Sequence, residues 1–407
     1  MADSGASDDE VVFEMAQFIC VYKSGRVERY FGSDPVPAST DAATGVASKD
    51  RAISPDVAVR LYLPPAAKET EDDGGIRTKL PILVYFHGGG FCLHTAFNFV
   101  FHAYLTSLAA RTRAIVVSVE YRLAPEHPLP AAYDDSWQAL RWVASHAAGS
   151  GGEEPWLADH GDFSRLSVGG ESAGANVAHH MAMRAGTESL PHGARISSAV
   201  IVHPYFLGAG RVASEETDPA MAQSVATMWR VVCPGTTGVD DPWVNPLAAG
   251  APGLQGLACA RVLVCLAEKD VVRDRGRAYA EGLGASGWAG EVEVLEVAGQ
   301  GHCFHLVDFA CADAVAQDDA IARFVNLLKL KRDLCYLDYR GFKCTELEVT
   351  RLRRGSRLAQ PREIEEGVQS EPEELINEEK EIEFESDQEN VVTTGYEQEV
   401  EGGENDD

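Results

Sequence analysis

A serine flanked by glycines, placed where an apolar run gives way to a helical pattern, constrains this chain more than any other feature. The pentapeptide Gly170-Glu-Ser-Ala-Gly174 follows the apolar stretch 166–169 and precedes the helix-like stretch 175–184. At such a strand-to-helix turn the serine hydroxyl is exposed, and the glycines let strand and helix approach closely. Ser172 is therefore the candidate nucleophile. Roughly one chain in five would contain the pattern G-x-S-x-G by chance, so the assignment depends on the strand before it and the helix after it.

Strand and helix signals alternate through the middle of the chain. Apolar runs predict strands at 81–86, 114–120, 166–169, 199–203, 261–267 and 291–297. Helical periodicity predicts helices at 101–111, 131–147, 175–184 and 314–328. This alternation indicates an α/β fold with a mostly parallel central sheet flanked by helices. In such sheets, sites form beyond the carboxyl ends of the strands.

Two of these strand ends carry the partners that a serine nucleophile needs. The hydroxyl requires a base, and an acid residue must orient that base, in the chain order serine, acid, histidine. Asp270 follows strand 261–267, and His302 follows strand 291–297. We therefore predict Asp270 as the acid and His302 as the base. The alternatives left open are Glu268 and Asp274 for the acid and His305 for the base.

A glycine run, His87-Gly-Gly-Gly90, follows the predicted strand 81–86. Successive glycines let backbone N–H groups turn toward one point, as an oxyanion hole requires. We expect the N–H groups of Gly89, Gly90 and Ala173 to form that hole. His87 is expected to hold the loop rather than to transfer protons.

Composition excludes several classes of protein. The net charge is −28, but residues 361–407 hold 19 Asp and Glu against only Arg362 and Lys380. This acidity argues against nucleic-acid binding, and we expect the tail to be disordered because it has few apolar residues. The sequence contains no H-E-x-x-H motif, no paired Cys/His cluster and no G-x-G-x-x-G turn, so neither a metal nor a cofactor is expected.

The compartment is predicted from cysteine usage and from the N-terminus. Nine cysteines, an odd number without C-x-x-C spacing, favour free thiols in a reducing compartment. The first ten residues lack a basic region followed by an apolar one, and no run reaches the ~18 apolar residues of a membrane span. We therefore expect a cytoplasmic or nuclear protein that does not bind membranes.

Three regions follow from these patterns. Residues 1–50 form an N-terminal cap segment that starts with a helix around 11–18, and 51–328 form the catalytic domain. Within that domain, 204–247 interrupts the alternation and predicts a cap insertion with a helix near 221–232. Residues 329–407 are an extension that is first basic and then acidic. A regulatory tail, a fusion and an erroneous extension of the gene prediction all fit it, and we favour the last.

The motifs together resemble one family over residues 10–328. The segments that carry the resemblance are Phe86-His-Gly-Gly-Gly-Phe91, Glu120-Tyr-Arg-Leu-Ala-Pro-Glu-His127, Pro130-Ala-Ala-Tyr-Asp-Asp135, Gly169-Gly-Glu-Ser-Ala-Gly-Ala-Asn176, Ala267-Glu-Lys-Asp-Val-Val-Arg-Asp274 and Gly301-His-Cys-Phe-His305. They resemble the plant carboxylesterases of the hormone-sensitive-lipase class. The resemblance implies an α/β-hydrolase fold with a cap and hydrolysis of short-chain carboxylic esters of small molecules. It also implies a triad of Ser172, Asp270 and His302, and a hole formed by Gly89, Gly90 and Ala173.

Other functions occur on the same scaffold. Gibberellin receptors look similar but carry an aliphatic residue where this chain has His302, so a non-catalytic, receptor-like binding protein is the less favoured alternative. The hydroxyisoflavanone dehydratases are lyases built on the same triad positions. Lyase chemistry and acyl transfer to an internal hydroxyl therefore stay open as alternatives to ester hydrolysis.

Overall fold

The structure is a computed structural model that describes residues 10–15, 18–65, 79–148 and 153–327, together with the backbone of 349–352. Its first element is a small antiparallel sheet of β1 (Val11–Met15), β2 (Ile19–Tyr22) and β3 (Val27–Arg29). The helix predicted around 11–18 is therefore wrong. Val11 and Val12 stay exposed while Phe13 is buried, and Val11–Met15 pairs with β2 along its backbone.

The centre of the protein is a nine-stranded sheet. Its strands in chain order are β4 (Ala47–Ala52), β5 (Ala58–Leu63), β6 (Leu80–Phe86), β7 (Ile115–Glu120), β8 (Gly161–Glu171), β9 (Ser198–Val202), β10 (Arg261–Ala267), β11 (Glu291–Val297) and β12 (Val349–Leu352). The spatial order is β12-β11-β10-β9-β8-β6-β7-β5-β4. All pairs from β7 through β6, β8, β9 and β10 to β11 are parallel. The prediction of a mostly parallel sheet is confirmed.

Helices cover both faces of this sheet. They are α1 (Phe99–Thr112), α2 (Ala131–Ser145), α3 (Pro155–His160), α4 (Ala173–Arg184), α5 (Ala213–Thr217), α6 (Pro219–Val232), α7 (Arg273–Ala285), α8 (Phe304–Val307) and α9 (Ala312–Asn326). Along β6, Ile82 and Val84 enter one core cluster while Leu83 and Tyr85 enter another. Because side chains alternate along a strand, both faces of the sheet are buried, which explains the continuous apolar runs of the sequence.

The predicted insertion and the extension each contribute one element outside the α/β alternation. Helix α6 lies within 204–247, as its sequence pattern predicted. In the extension, β12 pairs antiparallel with β11 at the sheet edge, with Val292 opposite Leu352. The rest of the extension, including the acidic stretch 361–407, lies outside the described residues. In the described part of the chain, no helix has the length and apolar character needed to cross a bilayer.

Candidate active site

Ser172 stands at the turn between β8 and α4. Its backbone has φ 55° and ψ −119°, a combination that non-glycine residues rarely adopt. The turn requires glycine on both sides of Ser172, because a Cβ at Gly170 or Gly174 would collide with the carbonyl oxygen of Phe86. The N–H of Ser172 donates to the oxygen of Val202 at 2.9 Å, which fixes the strained residue at the carboxyl edge of the sheet.

Ser172, His302 and Asp270 form one hydrogen-bonded chain. Ser172 Oγ lies 3.0 Å from His302 Nε2, and His302 Nδ1 lies 2.7 Å from Asp270 Oδ2. The three residues are brought together because β8, β10 and β11 all end at the same edge of the sheet. The imidazole keeps 41% of its surface exposed, so a substrate can reach it, whereas the Asp270 carboxylate is almost fully buried.

The alternative acids and the alternative base lie elsewhere. Glu268 Oε2 accepts the N–H of Gly299 at 2.6 Å, and Asp274 accepts the N–H of Ser214 at 2.8 Å. His305 is fully buried with its ring 5.1 Å from that of Tyr104, and burial lowers the pKa of His305 to about 3. Of the candidates named from sequence, the structure therefore joins Asp270 and His302 to Ser172.

The buried carboxylate sets the protonation of the histidine. Burial by itself would raise the pKa of Asp270, but the attraction and hydrogen bond of His302 outweigh it, so this pKa lies below its ordinary value. Desolvation would lower the pKa of His302, yet the negative charge of Asp270 holds it well above the usual value. Burial raises the pKa of the neighbouring Cys303 thiol, which therefore stays protonated at neutral pH. Asp270 is thus the charge that tunes the base.

The glycine loop lies directly against the serine. Gly89 and Gly90 have φ of 101° and 59°, and a Cβ at Gly88 would lie 3.2 Å from Cβ of Ser172. Within the described residues, the N–H groups of Gly89, Gly90 and Ala173 donate no hydrogen bond to the protein. These donors are therefore free to bind an oxyanion.

His87, at the start of this loop, is held in place by Tyr121. Its ring stacks on Tyr121 at 4.3 Å, and the Tyr121 hydroxyl donates to the carbonyl of His87 at 2.6 Å. Burial lowers the pKa of His87 to about 3, so the ring is neutral at physiological pH. The contacts fit the loop-holding role expected for this residue.

Glu171 is a site residue that the sequence analysis missed. Its buried carboxylate accepts hydrogen bonds from the N–H of Gly88 and from the hydroxyl of Tyr85, so it links the serine turn to the glycine loop. Burial raises the pKa of Glu171 to about 8, although both hydrogen bonds oppose that shift. A charged residue between the buried strand 166–169 and the serine was the available signal, because such residues are seldom buried without a partner.

Two elements from outside the α/β alternation contact the glycine loop. Met228 of α6 occupies the space into which a side chain at Gly90 would project, and its sulfur lies 3.7 Å from Sγ of Cys92. Arg29 of β3 donates from Nε to the carbonyl of Cys92 at 2.7 Å. The small N-terminal sheet and α6 therefore both pack against the loop that carries Gly89 and Gly90.

One group of side chains in the described residues could hold a metal ion. It consists of His203, His302 and Cys303, whose candidate ligand atoms lie within 4.8 Å of one another. Local sequence patterns do not indicate this group, because His203 is 99 residues away from His302. Folding joins them because β9 and β11 flank β10 in the sheet.

The fold and the site define the class of protein. A family model described as "alpha/beta hydrolase fold" matches residues 83–306, a range that contains the glycine loop, Ser172, Asp270 and His302. Among solved structures, an esterase from Mycobacterium marinum aligns with a TM-score of 0.56 and 31% identity, covering 70% of this chain and 82% of that one. The protein is an α/β hydrolase of the esterase type.

Curated relatives narrow this class to a plant group. The chain is 46% identical over 323 residues to tuliposide A-converting enzyme 1, chloroplastic, from Tulipa gesneriana, covering 79% of this chain and 80% of the relative. It is 46% identical over 310 residues to 2-hydroxyisoflavanone dehydratase from Glycyrrhiza echinata, with coverages of 74% and 92%. It is 43% identical over 331 residues to probable carboxylesterase 13 from Arabidopsis thaliana, with coverages of 79% and 99%. The chain belongs to the plant carboxylesterase-like family of α/β hydrolases, in the hormone-sensitive-lipase class.

Proposed function

We propose that this protein is a serine carboxylesterase that hydrolyses short-chain carboxylic esters through an acyl-enzyme on Ser172. The observation that carries the proposal is the continuous chain from Ser172 Oγ through His302 to Asp270, which lies beside three free N–H donors. The relatives support a small-molecule ester as the class of substrate.

The geometry suggests how each residue acts. His302 Nε2 takes the proton of Ser172 as Oγ attacks the ester carbonyl, and Asp270 stabilises the imidazolium that results. The N–H groups of Gly89, Gly90 and Ala173 bind the oxyanion of the tetrahedral intermediate. His302 then returns the proton to the departing alcohol, which leaves the acyl group on Ser172. Water, activated by the same histidine, repeats the sequence and releases the carboxylic acid.

We further propose that α6 and the N-terminal strands form a cap over this site. Met228 and Arg29 support that role, because each contacts the segment that carries the glycine loop. The proposed domain limits are those expected from sequence: 1–50 for the N-terminal part of the cap, 51–328 for the catalytic domain with 204–247 as its insertion, and 329–407 for the extension.

The test uses a fluorophosphonate probe and the substrates p-nitrophenyl acetate and butyrate. We expect the wild-type protein to be labelled at Ser172 and to turn over both esters. Ser172→Ala should lose labelling and turnover while keeping its circular dichroism spectrum and melting temperature. The matched control is Ser214→Ala, which removes a buried serine hydroxyl that bonds to Val271 rather than to His302. Wild-type turnover in folded Ser172→Ala would refute the assignment.

A lyase reaction is the second candidate. It is favoured by the 46% identity to a 2-hydroxyisoflavanone dehydratase, which covers 92% of that relative. The same histidine would then remove a proton from carbon, and the glycine loop would stabilise an enolate oxygen. Incubation with a 2-hydroxyisoflavanone, followed by mass spectrometry for the loss of water, separates this activity from ester hydrolysis.

We also propose a cytoplasmic or nuclear location. Seven cysteines of the described part of the chain are free thiols, which suits a reducing compartment. The tulip relatives carry names that place those proteins in chloroplasts or amyloplasts. Microscopy of the full-length chain with a C-terminal fluorescent fusion tests the proposal, and plastid fluorescence would contradict it.

A further inference from the structure

Three potential metal ligands surround the proposed base. A ring nitrogen of His203, a ring nitrogen of His302 and the sulfur of Cys303 lie within 4.8 Å of one another. In a tetrahedral zinc site with bonds of about 2.0–2.3 Å, such atoms stand roughly 3.3–3.8 Å apart. The side chains would therefore need to close by only about 1–1.5 Å to share one ion.

In the proposed triad, His302 makes the same hydrogen bond to a carboxylate that zinc-binding histidines make. Histidines that bind zinc donate their second ring N–H to a carboxylate, which fixes the tautomer and leaves the other nitrogen free to bind. His302 Nδ1 lies 2.7 Å from Asp270 Oδ2, so Nε2 carries the lone pair. That lone pair now faces Ser172 Oγ, and a cation bound there would replace the serine proton as its partner.

His203 supplies a second ring nitrogen, and the proposed hydrolytic mechanism assigns no role to this residue. The residue is only 1% exposed, and its Nδ1 accepts the N–H of Cys303 at 3.0 Å. Its Nε2 is buried without a hydrogen-bond partner in the described structure. Buried ring nitrogens are normally hydrogen-bonded. Within the described residues, His87 Nε2 and both ring nitrogens of His305 also lack a partner, but of these atoms only His203 Nε2 belongs to a residue of the cluster. His203 Nε2 lies on a ring whose centre is 5.9 Å from that of His302.

Cys303 completes the set with a soft donor. Its sulfur is a free thiol, and its backbone is held in the left-handed region at φ 52° by the turn into α8. Imidazole nitrogen and thiolate are both ligand types that zinc binds, and three protein ligands leave the fourth tetrahedral position to water.

We propose that His203, His302 and Cys303 form an inhibitory site for Zn²⁺ that shuts off the base of the hydrolytic reaction. On binding, the Cys303 thiol releases its proton to solvent, and the ion loses the waters that the three side chains replace. Coordination through His203 Nε2 moves the imidazole proton through solvent to Nδ1. The hydrogen bond from the Cys303 N–H to Nδ1 then breaks, the ring turns away from that N–H, and water takes its place as acceptor. His302 Nε2 can then no longer accept the proton of Ser172, so acylation stops. The inhibition rests on the proposed esterase function, but binding of the ion does not.

The first test measures inhibition. Hydrolysis of p-nitrophenyl butyrate is followed in metal-buffered Zn²⁺, and EDTA should restore the activity. Cys303→Ser should raise the zinc concentration for half-inhibition by about tenfold or more, because loss of an outer partner alone costs 10–100-fold in metal affinity. Cys311→Ser is the matched control, since Cys311 is a free thiol of similar exposure outside the cluster. Equal zinc sensitivity of Cys303→Ser and wild type would overturn the proposal.

The second test does not depend on turnover. Ser172→Ala, which lacks the nucleophile but keeps all three ligands, is titrated with Co²⁺ as a spectroscopic substitute for zinc. We expect tetrahedral cobalt absorption with a thiolate-to-cobalt charge-transfer band, and we expect that band to vanish in Ser172→Ala/Cys303→Ser. Absence of the band from Ser172→Ala would refute the metal site even if the protein proved to be an esterase. Its presence in a protein without esterase activity would support the metal site while rejecting the proposed function.

Discussion

The carboxylate of Glu171 accepts a hydrogen bond from the N–H of Gly88, so the residue before the serine holds the loop that faces it. The second oxygen accepts the Tyr85 hydroxyl, which fixes the carboxylate between β6 and β8. Gly88 precedes Gly89 and Gly90, the two glycines whose N–H groups we propose as oxyanion donors. We therefore expect the orientation of those donors to depend on the side chain of Glu171.

Glu171→Gln should lower kcat with little change in KM. Either oxygen of the carboxyl group can accept a hydrogen bond, whereas the amide nitrogen of Gln cannot, so Gly88 and Tyr85 compete for the one remaining oxygen and the loop loosens. Loss of one oxyanion donor typically costs 10²–10³ in kcat, and a loosened loop should cost about tenfold or more. Tyr85→Phe is the control, because it removes the hydroxyl but leaves the bond to Gly88. Steady-state kinetics with p-nitrophenyl acetate measure both, and an unchanged kcat in Glu171→Gln would exclude this role.

The pH dependence of kcat/KM should report His302. A general base must be neutral, so the rate rises with pH through the pKa of the histidine and then levels off. Sequence alone predicts an apparent value near the ~6–7 that is usual for such histidines. Because Asp270 holds the pKa of His302 above its usual value, we now expect the midpoint above the ~6.5 of free imidazole. A pH profile with a midpoint below that value would contradict the geometry.

Asp270→Asn tests whether Asp270 or Glu268 is the acid that interacts with His302. Removal of the negative charge should shift the midpoint to lower pH and reduce kcat by about 10⁴, because the asparagine favours the wrong tautomer. Glu268→Gln is the matched control, since Glu268 bonds to Gly299 rather than to His302 and Gln keeps an acceptor oxygen. A shifted midpoint in Glu268→Gln, with none in Asp270→Asn, would reassign the acid.

Continuous apolar runs predicted the central strands well, because β6 to β11 are buried on one or both faces. The strands at the antiparallel end of the sheet were harder to predict. In β4, whose sequence is Ala-Ser-Lys-Asp-Arg-Ala, apolar residues occur only at the ends, so hydrophobic periodicity gives no signal. Val11–Met15 was predicted as helix because five residues with four apolar side chains fit a helix as well as a strand.

The site was predictable as far as chain order and strand ends could determine it. Ser172, Asp270 and His302 each follow a recognisable strand, and parallel strands end at one edge. Glu171 and His203 were missed because their importance comes from partners distant in sequence: Gly88 and Tyr85 for the carboxylate, and Cys303 for the imidazole. Pairings of this kind are fixed by sheet order, which local patterns do not contain.

Gly90 and Met228 should behave as a complementary pair. Alanine at position 90 meets a φ of 59° and overlaps the Met228 thioether, so Gly90→Ala should reduce kcat by about tenfold to hundredfold as the donor moves. Met228→Ala creates the missing space and should restore part of that loss. Met221→Ala, at an exposed position of the same helix, should restore none. A double-mutant cycle on kcat measures the coupling, and strict additivity of Gly90→Ala and Met228→Ala would show that helix α6 does not act on the loop.

Removal of the extension should leave catalysis intact and expose a sheet edge. All six residues proposed for the reaction precede residue 303, and the last helix of the catalytic domain ends at Asn326. The extension nevertheless supplies β12, which pairs with β11. Two truncations separate its parts: 1–356 keeps β12 and removes the acidic stretch, whereas 1–332 removes both.

We expect kcat/KM within about twofold of full length for both truncations, since neither change reaches the site. The melting temperature of 1–356 should match full length, because a stretch with 19 acidic and only two basic residues has few opposite charges to pair with and few apolar residues to bury. The 1–332 protein loses the few hydrogen bonds of one short edge strand, at about 0.5–1.5 kcal/mol each, and should melt a few degrees lower. Its newly open edge at β11 should also raise its tendency to self-associate, which light scattering detects. A tenfold loss of kcat/KM in 1–332, with 1–356 unaffected, would show that residues 333–356 belong to the working enzyme.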